Sequence, residues 1–226
     1  MATDSHPASP PARDGKGPDP QAALAQYRHR AAWYDLELMA FEPIRLKAIE
    51  RLALAAADTV IDVGCGTGLS LPLLANAVGP SGTVIGLEPC AEMLSHAAGR
   101  PMPPGTRLQL VEAQAQATQD HNLPIADAML LHFTHDVMQD PLSVQALMKQ
   151  VRPGGRVVAA GLQWASPWLP LANLFVWSAA LYSTTCLDGL SAPWDLLRPY
   201  LDDLRVEPLW AGTVYLASGR RNDRPA

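Results

Sequence analysis

A short apolar run at 59–63 leads into Val63-Gly64-Cys65-Gly66-Thr67-Gly68, and a helical pattern follows over 69–78. Strand, glycine loop and helix in that order commit the chain to an α/β arrangement. An apolar run of this kind is buried on both faces of a parallel sheet, and helices must return over it. Glycines at alternate positions let the backbone turn tightly and let a ligand approach with no Cβ in the way. The helix start beyond the loop adds free N–H groups and partial positive charge. The spacing separates ligand classes. A P-loop needs GxxxxGK followed by Ser or Thr, and no lysine stands here. A dinucleotide fingerprint, GxGxxG, would need its third glycine at Leu69 or Leu71. What stands is GxGxG, with Asp62 two residues before the first glycine.

The strand–helix alternation continues. Strands are predicted over 83–88, 106–112, 126–132 and 156–161, and helices over 91–98 and from Pro141 to about 151, with Asp140 as N-cap. The Pro-Gly-Gly of 153–155 breaks that last helix. Two further strands, 204–210 and 213–220, are joined by a tight Ala211-Gly212 turn and close one edge as a hairpin. Ahead of the first strand, 21–56 reads as a helical cap. Leu24, Tyr27, Ala31 and Tyr34 share one face of its first helix, and Pro43 opens a second helix reaching about 56. Residues 1–20, rich in Pro, Gly, Ser and Asp, read as a disordered tail.

These readings define a doubly wound α/β fold over 21–226. The net charge of −5 argues against general nucleic-acid binding, which needs clustered Lys and Arg. The 3 cysteines are scattered and show no CxxC, so neither zinc nor a disulfide framework is expected; a reducing cytoplasm is. The N-terminus lacks the basic-then-apolar pattern of a signal peptide.

The loop, with its preceding acid, resembles motif I of class I methyltransferases dependent on S-adenosylmethionine (SAM). Several other stretches resemble the same family in the same order. Glu88 ends the second strand about 20 residues past the loop, where an acid can accept from both ribose hydroxyls. Pro89-Cys90-Ala91-Glu92-Met93-Leu94 is similar to the segment after strand two, where a Met often lies on adenine. Gln114, before Ala115, stands where the family commonly has an acid facing the adenine amino group. Leu131-His132-Phe133 lies where the methionine end passes. Arg152-Pro153-Gly154-Gly155-Arg156 is similar to the loop before strand five. Tyr27-Arg28 and Trp33-Tyr34-Asp35 resemble an N-terminal element whose aromatics fold over SAM.

The resemblance implies a Rossmann-like, mostly parallel seven-stranded sheet with a C-terminal antiparallel hairpin strand. It implies SAM as cofactor and no metal. The implied SAM-binding residues are Tyr27, Tyr34, Asp62, Gly64, Cys65, Gly66, Gly68, Glu88, Pro89, Met93, Gln114, Ala115 and His132. Plainer roles stay open for some: Met93 as core, Gln114 as surface, Tyr27 and Tyr34 as helix-face core. Cys65 would contribute backbone and no thiol chemistry.

Methyl transfer needs the methyl held in line with a nucleophile, with a general base where the nucleophile is a hydroxyl or carbon. Candidate bases cluster after strand four, at His132, His135 and Asp136; ligands of open α/β sheets bind beyond the carboxyl ends of strands. Thr134 and Asp136 capping a short turn, with His135 on the surface, is the plainer alternative. From Val157 to Leu187 there is no charged side chain, yet Pro167 and Pro170 interrupt the run, so a membrane span is not expected. This stretch begins an apolar cover over 162–200. It reads as a helix buried against the sheet, as the wall of a hydrophobic substrate pocket, or as a contact with a membrane surface or a homodimer partner. Residues 183–195 suit a lid. The expected function is methyl transfer to a small apolar or amphipathic acceptor: a lipid amine, a quinone-like ring or a natural product. A non-catalytic SAM-fold partner subunit and a nicotinamide-dependent oxidoreductase are the rivals.

Overall fold

The computed structural model describes residues 39–184 and 186–224. The expected tail, the first cap helix, and Tyr27 and Tyr34 lie outside the described residues. The described residues open with a 3₁₀ turn, Met39–Phe41, and helix α1, Glu42–Leu52. It then alternates β1 (Thr59–Val63), α2 (Leu71–Val78), β2 (Thr83–Leu87), α3 (Ala91–Ala98), β3 (Arg107–Val111), β4 (Ala126–His132), α4 (His135–Met138), α5 (Pro141–Lys149), β5 (Val151–Leu162) and α6 (Pro170–Ser183). The hairpin β6 (Leu201–Leu209) and β7 (Val214–Arg221) ends it.

The seven strands form one sheet in the order β3-β2-β1-β4-β5-β7-β6. β1 to β5 run parallel, and β7 joins β5 antiparallel. The order reverses at β1 between β2 and β4, which puts the crevice used by open α/β sheets at the end of β1. Period-two alternation divides the core. Val60, Val84, Leu130 and Val158 face one layer with α1, α2 and α6. Ile61, Ile85, Met129 and Val157 face the other, with α4 and α5. Asp62 shares the face of Val60, so its carboxylate is directed into the α1 layer.

Several boundaries depart from the sequence reading. α1 stops at Leu52 because Ala53 turns left-handed (φ 46°) and its N–H returns to the Glu50 carbonyl. Asp140 caps α5 as expected, accepting the N–H groups of Leu142 and Ser143, but Pro-Gly-Gly does not precede β5. It lies within β5 as an irregularity: Val151 pairs with Ala126, and regular register resumes with Arg156 opposite Ala128. Gly154, at φ 75°, absorbs the slip. β6 begins at Leu201, and its turn is a 3₁₀ element, Trp210–Gly212, with φ of 47°, 55° and 84° at its three residues. Among the described residues no helix is long and apolar enough to cross a membrane.

Candidate functional site

The site is built where β1, β2 and β4 end. Gly64, Gly66 and Gly68 all take positive φ, 62°, 57° and 82°. At Gly64 a Cβ would meet the Thr134 methyl at 2.6 Å, so the glycine loop and the β4–α4 connection are in direct contact. At Gly68 a Cβ would meet Ala97 Cβ and Leu71 Cδ1 at 2.9 Å, which seats the loop on α3 and starts α2. Within the loop Gly68 N–H donates to the Cys65 carbonyl at 2.9 Å, and Cys65 N–H donates to the Leu87 carbonyl at 3.1 Å. The Cys65 thiol is turned toward Gly86, and burial raises its pKa far above the ordinary thiol value. It stays protonated, as a core residue.

Glu88 follows β2 and is buried. Its Oε2 accepts the Gly66 N–H at 3.1 Å and its Oε1 accepts the Cys90 N–H at 3.0 Å. Burial raises its pKa, and those two N–H groups oppose the rise. Arg100 holds the loop from behind: Nε donates to the Thr67 carbonyl at 2.8 Å. Pro89 is half-buried beside Glu88, and Met93 is fully buried on α3. Gln114 is half-buried and precedes the 3₁₀ helix Ala115–His121; its Oε1 accepts from the Gln116 amide, and Ala115 is buried.

A cleft beneath the glycine loop is lined by Arg45, Asp62, Gly64, Gly66, Ser70, His132 and Phe133. Four buried polar atoms have no hydrogen-bond partner among the described residues: Arg45 Nε, Asp62 Oδ2, His132 Nε2 and Thr134 Oγ1. An unpartnered buried polar atom costs about 1–3 kcal/mol, so the three that belong to residues of this cleft, on Arg45, Asp62 and His132, mark a site shaped for a polar ligand. Burial pushes the Asp62 pKa up to about 7; the Arg45 guanidinium lowers it and Glu88 raises it. Burial, then Arg45, pushes the His132 pKa down to about 3, so its imidazole is neutral. Arg45 also pairs with Glu42 one turn before it.

His135 is not on this wall. Its buried ring places Nε2 2.9 Å from the Asp188 carbonyl, so Nε2 carries the proton and donates. Burial lowers its pKa, opposed by that bond and by the charges of Asp136 and Asp188. The surface position of the plainer reading is therefore not observed. Thr134 precedes α4 but makes no side-chain cap.

Arg45 and Arg100 were not singled out in the sequence. Arg45 had a readable signal: it occupies the face of α1 that Ala48, Ile49 and Leu52 bury, and a charge at a core position of an amphipathic helix calls for a partner. Arg100, in the loop after α3, had none. Among the described residues no cluster of His, Cys, Asp and Glu is arranged to hold a metal.

Residues 60–155 match the family model described as a methyltransferase domain. The ubiquinone/menaquinone biosynthesis C-methyltransferase UbiE of Syntrophotalea carbinolica is 31% identical over 132 residues, covering 56% of this chain and 52% of that protein. A ubiquinone biosynthesis O-methyltransferase of Aliivibrio fischeri is 33% identical over 133 residues, 55% of each chain. The chain thus spans about half the length of the curated relatives it matches. In fold, an O-methyltransferase family protein from Burkholderia thailandensis superposes with a TM-score of 0.62 at 17% identity, over 89% of this chain and 62% of that one.

Proposed function

We propose that this chain, whose residues 60–155 match the methyltransferase-domain family model and whose fold resembles that of a solved O-methyltransferase family protein, transfers a methyl group from SAM to a small apolar or amphipathic acceptor. A quinone-like ring is the favoured class. One observation carries the reading: unpartnered atoms of Arg45, Asp62 and His132 converge on the cleft beneath the glycine loop to which Glu88 is tied.

The residues fit the cofactor's chemistry. SAM ends in a carboxylate and an ammonium group, which call for one cationic donor and one anionic acceptor. Arg45 and Asp62, which line the same cleft, are assigned to supply them. Each carboxylate oxygen of Glu88 accepts one N–H and keeps a lone pair for a ribose hydroxyl. The left-handed backbone of Gly64, Gly66 and Gly68 turns the loop so that its main chain, that of Cys65 included, is presented to the ligand. Pro89, Met93, Gln114 and Ala115 are assigned to the adenine side, and Tyr27 and Tyr34 to the cover.

SAM supplies the activated methyl when bound; the chain supplies orientation and exclusion of water. His132 is assigned as the neutral acceptor that orients the incoming nucleophile. His135 with Asp136 is the second candidate, and it requires release of its bond to Asp188. The acceptor class rests on two supports. Relatives of about one-third identity carry quinone-biosynthesis names, and the segment from Val157 to Leu187, without a charge, follows the site.

The test is incubation of the full chain with methyl-labelled SAM and a panel of phenolic quinone precursors, lipid amines and carboxylates. Label on a ring carbon or ring oxygen is expected. Label only on a lipid amine would overturn the acceptor class, and intact SAM binding with label on nothing would overturn catalysis.

A further inference from the structure

Four aromatic rings run in series from the cleft to the surface. The His132 imidazole meets the Phe133 ring edge-on, with centroids 4.8 Å apart. Phe133 is tilted against Phe41 at 4.7 Å, and Phe41 is stacked on Trp210 at 5.2 Å. His132 and Phe133 line the cleft beneath the glycine loop. Phe133 and Phe41 are half-buried, and Trp210 is 42% exposed. The row therefore begins beside the unpartnered His132 Nε2 and ends on the surface.

Two of these rings stand on backbone that disfavours them. Phe133 has φ 58° and Trp210 has φ 47°. Left-handed backbone is uncommon for any residue but glycine, and bulky side chains suit it poorly. Trp210 opens the turn Trp210–Gly212, in which all three residues are left-handed. Such turns draw Asn, Asp and Gly. Phe133 leaves β4 with its N–H still bound to the Ala160 carbonyl at 2.7 Å, so β5 fixes its place. Asn or Gly suits either backbone better, and neither supplies an apolar face. Outliers of this kind collect at ligand sites.

The row also selects a chemistry. None of its four members carries a charge, because the His132 imidazole is neutral. Its aromatic faces take rings and hydrocarbon, not the charged end of a cofactor. A single six-membered ring beside His132 covers Phe133 and leaves Phe41 and Trp210 over. An occupant that fills the row continues past its ring as hydrocarbon. The exposed apolar side chains of α6, Leu171, Leu174 and Trp177 among them, also offer hydrocarbon. They are the rival place for such a tail.

Resting on the methyl-transfer reading above, we propose that His132, Phe133, Phe41 and Trp210 form the acceptor subsite, and that its occupant is a phenolic ring bearing an apolar tail. The ring hydroxyl donates to His132 Nε2, the ring lies against Phe133, and the tail follows Phe41 to Trp210. Phe133 then selects the ring and Trp210 the tail.

The experiment is equilibrium dialysis of the full chain, loaded with S-adenosylhomocysteine, against three probes. Resorcinol is the ring alone, hexylamine the tail alone, and 4-hexylresorcinol both. The expected result is one site for 4-hexylresorcinol, at least about tenfold tighter than for either other probe. Trp210→Asn suits the left-handed turn and removes the ring. It should weaken 4-hexylresorcinol about fivefold or more and resorcinol less than about twofold. Phe133→Leu keeps apolar bulk and should weaken both phenols. Trp177→Ser, on the exposed face of α6, should change neither. Equal affinity of 4-hexylresorcinol for the parent and Trp210→Asn would overturn the proposal. So would a loss in Trp177→Ser instead, or hexylamine binding as tightly as 4-hexylresorcinol. Failure of the cofactor reading shows separately, as loss of S-adenosylhomocysteine from the parent chain, and the same comparisons on the unloaded chain still decide the row.

Discussion

Glu88 Oε2 accepts the backbone N–H of Gly66 at 3.1 Å, so the acid that follows β2 is fastened to the glycine loop that follows β1. One carboxylate thus shapes the loop and presents its remaining lone pairs beside it. Glu88→Ala should weaken SAM binding by about 1–3 kcal/mol, roughly 5- to 150-fold, the scale of hydrogen bonds to a charged group. Calorimetric titration checks it, and unchanged affinity would remove Glu88 from the site.

Arg45 is assigned to the carboxylate end of the cofactor, which gives a ligand-specific signature. Arg45→Met, close in volume, should weaken S-adenosylhomocysteine by about 1.5–3 kcal/mol, the range for charge-assisted bonds. It should leave 5′-methylthioadenosine, which lacks both carboxylate and ammonium, unchanged. Equal loss for the two ligands would make Arg45 a structural residue only.

Asp62 makes the site pH-dependent. Its folded pKa of about 7 lies above the unfolded carboxylate value of about 3.9. Protonated Asp62 therefore favours the folded state fully below about pH 4, and that contribution is lost as pH rises to 7. His132, depressed to about 3, acts oppositely: its contribution is present above about pH 6.5 and lost as pH falls toward 3. Asp62→Asn isolates the first effect, and the stability of the variant relative to the parent should increase from pH 4 to pH 7. An ammonium group beside Asp62 favours its ionised form, so SAM affinity should rise by up to tenfold per pH unit below 7. A parental affinity that is flat from pH 5.5 to 7.5 would contradict this placement.

Gly68 combines a left-handed backbone with a Cβ position occupied by Ala97 and Leu71. Gly68→Ala should cost about 1–2 kcal/mol for the backbone and about 1–3 kcal/mol for overpacking. Urea unfolding would report it. A loss below about 0.5 kcal/mol would mean that the loop is not seated on α3 as described.

Much of this was readable before the structure. The β1 span matches its apolar run, and Asp140-Pro141 announced α5 because an Asx cap and first-turn proline act locally. Glu88 could be placed because an acid at a strand end after a glycine loop sits at the sheet's switch point. What escaped the sequence depended on long-range packing. Nothing local says that Arg45 on α1 and Asp62 on β1 line one cleft, or that His135 turns to the Asp188 carbonyl 53 residues away. The exposed apolar face of α6 escaped for the same reason: its composition announced apolar surface, and only the structure shows which side is turned outward.

The most direct measurement is titration calorimetry of the folded, ligand-free full chain with S-adenosylhomocysteine, repeated with NADH. Saturable one-site binding of the nucleoside, weakened in both Glu88→Ala and Arg45→Met and absent for NADH, is the expected result. No heat from S-adenosylhomocysteine or SAM on protein shown to be folded would contradict the assignment of the cleft.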